Sequence, residues 1–137
     1  MPKEINRWAM YPRKTFTASL PESLNMGVTT KANELIETVL KPKYIQPPPQ
    51  NPQFNYIVDI YGKWYHKAFY FCADYRVAGP HPIGPSFEAK FARMQYAGNL
   101  RFHLSYMRYT GQWIQLYTDL TVDECIETIR DEPFFQP

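Results

Sequence analysis

Residues 99–120 combine arginine, histidine and aromatic side chains on two segments that read as strands joined by a tight turn. Every second residue of the first segment is apolar, at Phe102, Leu104 and Tyr106, which predicts a strand with one face toward a core. The residues between them form a second face of rings and cations. They are Arg101, His103, Ser105, Met107 and Tyr109.

The register of this hairpin decides which residues of the second strand join that face. A three-residue loop at 110–112 places Ile114 and Leu116 on the side of Leu104, whereas a two-residue loop mixes the two faces. We therefore expect the three-residue loop, with Gly111 adopting a positive φ. Trp113, Gln115 and Tyr117 then lie across from the second face, and Tyr109, Trp113 and Tyr117 form a ridge.

Aromatic rings beside Arg and His on an open sheet are typical of proteins that bind single-stranded nucleic acid. Bases stack on the rings while the cations contact phosphates. The alternative is that protein covers these rings, either the N-terminal segment or a second subunit. The net charge is only +2, which is weak for a nucleic-acid binder and favours the protein alternative.

Glu88 and Lys90, with Asp59 or Asp74 on a preceding strand, resemble the metal-and-lysine arrangement of the PD-(D/E)xK nucleases. The resemblance implies that two carboxylates hold a divalent metal while the lysine polarises the attacking water. Neither aspartate follows a proline, which departs from the pattern of that family. Metal-dependent cleavage of nucleic acid is therefore a third hypothesis.

The other residues that could do chemistry are dispersed. The histidines at 66, 81 and 103 lie far apart, and the six glycines form no phosphate-binding loop. Cys72 and Cys125 lie in apolar surroundings without metal or redox spacing, so we expect buried free thiols in a reducing compartment. The sequence thus predicts no cofactor and no metal, and its lack of a signal peptide or long apolar run predicts a cytoplasmic protein without a membrane span.

A chain of 137 residues with 45% hydrophobic and 20% charged residues predicts one globular domain. Residues 1–28 follow neither a helical nor a strand period, yet they include Trp8, Tyr11 and Phe16. We interpret them as an extended arm that lies on an apolar surface. Residues 29–137 would form the folded domain.

Within that domain, the pattern predicts a helix, a proline-rich linker, strands and a final helix. The first helix would start at Thr30 and end at Pro42, and residues 42–53 would form the stiff linker. From Phe54 the apolar period becomes two, with a first turn near residues 65–67. Residues 87–97 fit either a helix or a strand, and we favour a strand from about residue 90.

A capping box of Thr121 and Glu124 begins the last helix, and Pro133 ends it. The order of elements predicts an α+β fold, in which an N-terminal and a C-terminal helix flank an antiparallel sheet of about five strands. Three stretches, FNYIVDIYGKWYHKAFYFCA, GNLRFHLSYMRYTGQW and DECIETIRDEPFFQP, resemble a small family of bacterial proteins of unknown function over residues 42–137. The resemblance implies no site.

These observations favour a non-catalytic subunit that interacts with protein, either a second copy or a larger assembly. It would dock through the aromatic arm, the open sheet face and the tail. Phe134 and Phe135 belong to no periodic element that could bury them, and exposed apolar clusters of this kind mark interfaces. A single-stranded nucleic-acid (RNA) binding module is the alternative.

Overall fold

The computed structural model describes residues 19–48, 50, 54–78 and 85–137. Its N-terminal helix consists of α1 (Glu22–Leu35), a π-helical turn (Ile36–Leu40) and α2 (Lys41–Tyr44). The strands are β1 (Tyr56–Tyr65), β2 (Ala68–Arg76), β3 (Ser86–Gly98), β4 (Arg101–Met107) and β5 (Trp113–Leu120). Helix α3 (Val122–Asp131) and a 3₁₀ turn (Pro133–Phe135) follow.

The fold is α+β, as predicted. The five strands form one antiparallel sheet in the order β1-β2-β3-β4-β5, and the N-terminal helix and α3 both pack on the same face of it. Between them lies the core, in which the largest fully buried side chains include Phe69, Phe71, Phe102, Met94 and Leu104.

The N-terminal helix begins earlier and ends later than predicted. It starts at Glu22 rather than Thr30, so residues 22–28 are helical instead of part of an extended arm, and Val28 is fully buried. It also continues through Pro42. The N–H of Lys41 donates to the carbonyl of Ile36, five residues back, and this wider turn opens the hydrogen-bond ladder just before the residue that has no N–H to donate.

The strand assignments are confirmed with small shifts. His66 and Lys67, both with positive φ (47° and 60°), form the two-residue turn between β1 and β2, in the backbone conformation that matches the twist of a hairpin. Residues 87–97 are strand, and that strand starts at Ser86 rather than near residue 90. Helix α3 has the predicted capping box between Thr121 and Glu124.

The β4–β5 hairpin differs from the predicted register in two ways. Its loop lies one residue earlier, because the N–H of Arg108 donates to the carbonyl of Gln112 at 2.8 Å and leaves residues 109–111 between them. Gly111 has the predicted positive φ, 86°. The pairing also shifts between Ser105–Gln115 and Leu104–Tyr117, so one extra residue is inserted in β5.

That β-bulge corrects two predictions. Tyr117 pairs with Leu104 and packs against the core, so it is not part of a ridge with Trp113. Leu116, the extra residue, is 37% exposed instead of buried. Because side chains alternate with a period of two, one inserted residue exchanges the faces of the residues after it, here as far as the second shift of the pairing between Leu104–Tyr117 and Phe102–Leu120.

The tail is also different from the prediction. Phe135 is only 1% exposed and belongs to the core, where its ring lies 6.3 Å from that of Tyr106. The 3₁₀ turn after Pro133 directs the ring inward, whereas Phe134 remains 52% exposed. The predicted exposed cluster of two phenylalanines is therefore wrong for Phe135.

Both cysteines are free and buried, as predicted. Burial raises the pKa of the Cys72 thiol to about 11 and that of Cys125 to about 12. Among the described residues, no helix is both long and apolar enough to cross a bilayer.

Candidate binding face

The side of the sheet opposite the helices is covered by no helix of the described chain, and we call it the open face. Directly paired residues of an antiparallel sheet share a face, so the strand register identifies its members. The open face consists of Tyr56, Asp59, Tyr61, Lys63, Tyr65, Ala68, Tyr70, Cys72, Asp74, Arg76, Ser86, Glu88, Lys90, Arg93, Gln95, Arg101, His103, Ser105, Met107, Trp113 and Gln115.

An aromatic and arginine cluster lies at its centre. The guanidinium carbon of Arg93 lies 4.9 Å from the centroid of the Trp113 ring, within the distance of a cation–π contact. The ring of Tyr70 lies 5.8 Å from that of Trp113 at 58°. Arg93 also donates to the hydroxyl of Ser105 at 3.5 Å. Four strands thus hold the half-buried indole in one place.

Beside this cluster the open face contains a hollow of about 460 Å³. Its size falls in the range typical of ligand pockets, ~300–1,000 Å³. The polar side chains that line the hollow are lysines, and the apolar ones are aromatic rings and the thioether of a methionine. The residues of the open face that line it are Lys63, Tyr65, Tyr70, Lys90, Met107 and Trp113.

Glu88 forms an ionic cluster next to the hollow. Its carboxylate accepts hydrogen bonds from the Tyr61 hydroxyl, from Lys63 at 2.9 and 3.0 Å, and from Lys90 at 3.2 Å. The Tyr61 hydrogen bond, followed by that of Lys63, lowers the pKa of Glu88 to about 2. Burial and the same carboxylate raise the pKa of Tyr61, and the hydrogen bond to Glu88 raises that of Lys63.

This cluster bears on the nuclease hypothesis. The register does align Asp59, Asp74 and Glu88 across three neighbouring strands. However, the carboxylate of Asp59 accepts from the N–H of Ile60 at 2.9 Å and lies 3.4 Å from the ammonium of Lys41 on the helix. The described residues contain no group of three His, Cys, Asp or Glu side chains placed to hold a metal. Of the two candidate partners of Glu88, Asp59 is thus engaged with the helix, whereas Asp74 pairs directly with Glu88 across β2 and β3.

Charge is segregated between the two sides of the molecule. The open face carries five basic residues (Lys63, Arg76, Lys90, Arg93 and Arg101) and three acidic ones (Asp59, Asp74 and Glu88). The helices carry the opposite excess. Their acidic residues are Glu22, Glu34, Glu37, Asp123, Glu124, Glu127 and Asp131, and their basic residues are Lys31, Lys41, Lys43 and Arg130. The small net charge of the chain hides this asymmetry.

The structure places some of the predicted surface residues together. Arg101, His103 and Trp113 are on the open face, with Arg101 at its end, where it donates to the carbonyl of Asp119 at 3.2 Å. Tyr109 is in the loop and is 93% exposed. Tyr117 and Phe135 belong to the core side, and Phe134 packs on Tyr106 with ring centroids 5.1 Å apart. The aromatic residues of the arm, Trp8, Tyr11 and Phe16, lie outside the described residues.

Sequence reasoning missed the residues that surround Trp113. Tyr70 and Arg93 come from β2 and β3, and only the pairing of four strands brings them beside a residue of β5. The available signal was the alternation in β2, where Phe69 and Phe71 face the core and therefore direct Tyr70 to the other side.

Comparison with known proteins identifies the family of the chain. Residues 20–137 match the family described as a domain of unknown function, DUF3024, and the chain belongs to that family. The match extends beyond the resemblance noted over residues 42–137 and includes the N-terminal helix. No curated protein and no solved structure matches the chain.

Proposed function

We propose that the protein is a non-catalytic binding module whose open face receives a macromolecular partner. The observation that carries this proposal is the cluster of Trp113, Arg93 and Tyr70 on a face that no described helix covers. Tryptophan, tyrosine and arginine are the residues that most often dominate the free energy of binding at interfaces.

The rigidity of the cluster supports this role. Each of its three side chains stands on a strand of the sheet, and each is held by contact with another. A surface that is already ordered loses little conformational entropy when a partner binds. The two unpaired thiols support a reducing compartment, the cytoplasm, as the place where the protein works.

Capture on the immobilised full-length chain tests the proposal. An extract of the cells that produce the protein is passed over the wild type, Trp113→Ala and Phe87→Ala, and the retained protein and nucleic acid are both quantified. Phe87 is an exposed ring that stacks on Tyr75 on the other side of the sheet, so Phe87→Ala is a matched control. We expect retention by the wild type and by Phe87→Ala, and its loss with Trp113→Ala.

Equal retention by all three proteins would contradict the proposal. Light scattering on the same proteins examines the case in which the partner is a second copy. Self-association of the wild type that disappears in Trp113→Ala would make this chain its own partner.

A further inference from the structure

We infer that the open face binds single-stranded nucleic acid, an inference that rests on the proposed function and names its partner. Two properties of the face are needed together for this ligand. Rings must be available for bases to stack on, and cations must lie near them for the phosphates.

The rings are present and arranged around one hollow. Trp113, Tyr70 and Tyr65 all line it, and Tyr65 is 61% exposed. The face of a paired duplex offers only base edges in its grooves, whereas a single strand can turn its bases onto such rings. The large apolar side chains of the hollow are aromatic apart from Met107, so most of its apolar lining can stack on bases.

The cations are present on the same face. Lys63 and Lys90 line the hollow, and Arg93 lies on the Trp113 ring. Among the described strands and helices, this side carries an excess of basic over acidic residues, while the helices carry the opposite excess. An anionic polymer is therefore attracted to the open face and repelled from the helices.

Three nitrogen atoms of this face have unused hydrogen-bonding capacity. Nε of Arg76, Nε of Arg93 and Nδ1 of His103 are buried and have no hydrogen-bond partner among the described residues. A buried polar nitrogen without a partner is costly. A phosphate oxygen can satisfy the two arginine donors only after the guanidinium groups turn outward, since both Nε atoms are buried.

Glu88 limits the charge of the face, which gives a sharp test. Its carboxylate forms ion pairs with both Lys63 and Lys90 beside the hollow and offsets one of their two charges. Glu88→Gln should release both ammonium groups for phosphates and tighten binding at about 50 mM salt by about 2- to 5-fold, as expected for one removed like charge at short range in water. Glu34→Gln removes the same charge from the helix side and should have no such effect.

Fluorescence anisotropy with labelled U12 and dT12 tests the inference, with a duplex and polyglutamate as comparison ligands. We expect binding that weakens with salt, prefers the single strands to the duplex, and falls about 5- to 150-fold in Trp113→Ala, the change that corresponds to the loss of one stacked base at ~1–3 kcal/mol. Phe87→Ala should bind as the wild type does.

Two outcomes would overturn the inference. One is the absence of binding to U12 and dT12 at low salt. The other is equal binding of polyglutamate and oligonucleotides without dependence on Trp113, which would indicate an acidic protein as the partner. In either case, capture of a protein that depends on Trp113 would leave the proposed function standing, whereas capture that is independent of Trp113 would remove both.

Discussion

The guanidinium group of Arg93 on β3 lies over the indole ring of Trp113 on β5, with 4.9 Å between its central carbon and the ring centroid. The two residues do not pair directly, since β4 lies between their strands. This contact therefore depends on the register of three strands at once. It makes the centre of the open face a rigid surface that combines a ring with a cation.

Removing Trp113 should cost less stability than removing a core residue of the same hairpin. Leu104 is fully buried, so Leu104→Ala should lower the free energy of unfolding by ~2–5 kcal/mol. Trp113→Ala loses a cation–π contact and a ring contact on a half-buried side chain, about 1–2 kcal/mol in total. Urea denaturation of both variants measures the difference. Equal losses would mean that Trp113 is a core residue.

The two phenylalanines of the tail should also differ in how much they contribute to stability. Phe135→Ala should lower the free energy of unfolding by ~3–5 kcal/mol because its ring is in the core. Phe134→Ala should lower it by no more than ~1.5 kcal/mol, the range of one aromatic pair, because the ring is half exposed and contacts Tyr106. Thermal or urea unfolding compares the two. A small effect of Phe135→Ala would contradict the burial of its ring and favour the expectation from the sequence that the tail is an exposed docking element.

Substituting alanine should lower the free energy of unfolding at Gly62 and raise it at Gly27. A Cβ at Gly62 would lie 2.2 and 2.5 Å from atoms of the buried Phe69 ring, so Gly62→Ala should destabilise by ~1–3 kcal/mol. A Cβ at Gly27, within α1, meets nothing within 4 Å, and Gly27→Ala should stabilise the helix by ~0.5–1 kcal/mol. Chemical denaturation measures both signs. A neutral Gly62→Ala would show that Phe69 can move.

Glu88 should make stability depend on acid pH. Its pKa is lowered to about 2 in the folded protein and is near 4.5 when it is not perturbed. The ionised form is therefore favoured by folding, so its stabilising contribution is complete above pH 4.5 and is lost as the pH falls toward 2. Free energies of unfolding between pH 7 and 3 should fall less steeply for Glu88→Gln than for the wild type. Parallel curves would contradict the ionic cluster.

Much of the fold could be predicted from patterns of residue type within short stretches of the sequence. Alternation of apolar residues located the strands, and Thr121 with Glu124 located the start of α3, because both signals depend on neighbours within a few positions. The continuation of the first helix through Pro42 could not be read in this way. It depends on a π-helical turn, which has no simple sequence signature.

The site was harder to predict because it depends on pairing across strands. The β-bulge at Leu116 sends Tyr117 to the core, although the residue types on either side alternate as they would in a regular strand. Phe135 is buried because it lies in a 3₁₀ turn. Such a turn is too short to show a hydrophobic period in the sequence. Tyr70 and Arg93 entered the site only when the order of the sheet was known.

The indole N–H signals in an NMR titration with dT12 test the central claim most directly. Trp113 is on the open face, whereas the ring of Trp64 reaches the hollow but its indole N–H donates to the Thr29 hydroxyl under the helix at 2.9 Å. The chain has three tryptophans and so three indole N–H signals, of which Trp113→Phe and Trp64→Phe assign two by their disappearance. We expect the Trp113 signal to move with added dT12 by more than the Trp64 signal, because the Trp64 N–H is bonded away from the hollow. A stationary Trp113 signal at saturating dT12, or a shift confined to Trp64, would contradict the open face as the binding surface for single strands.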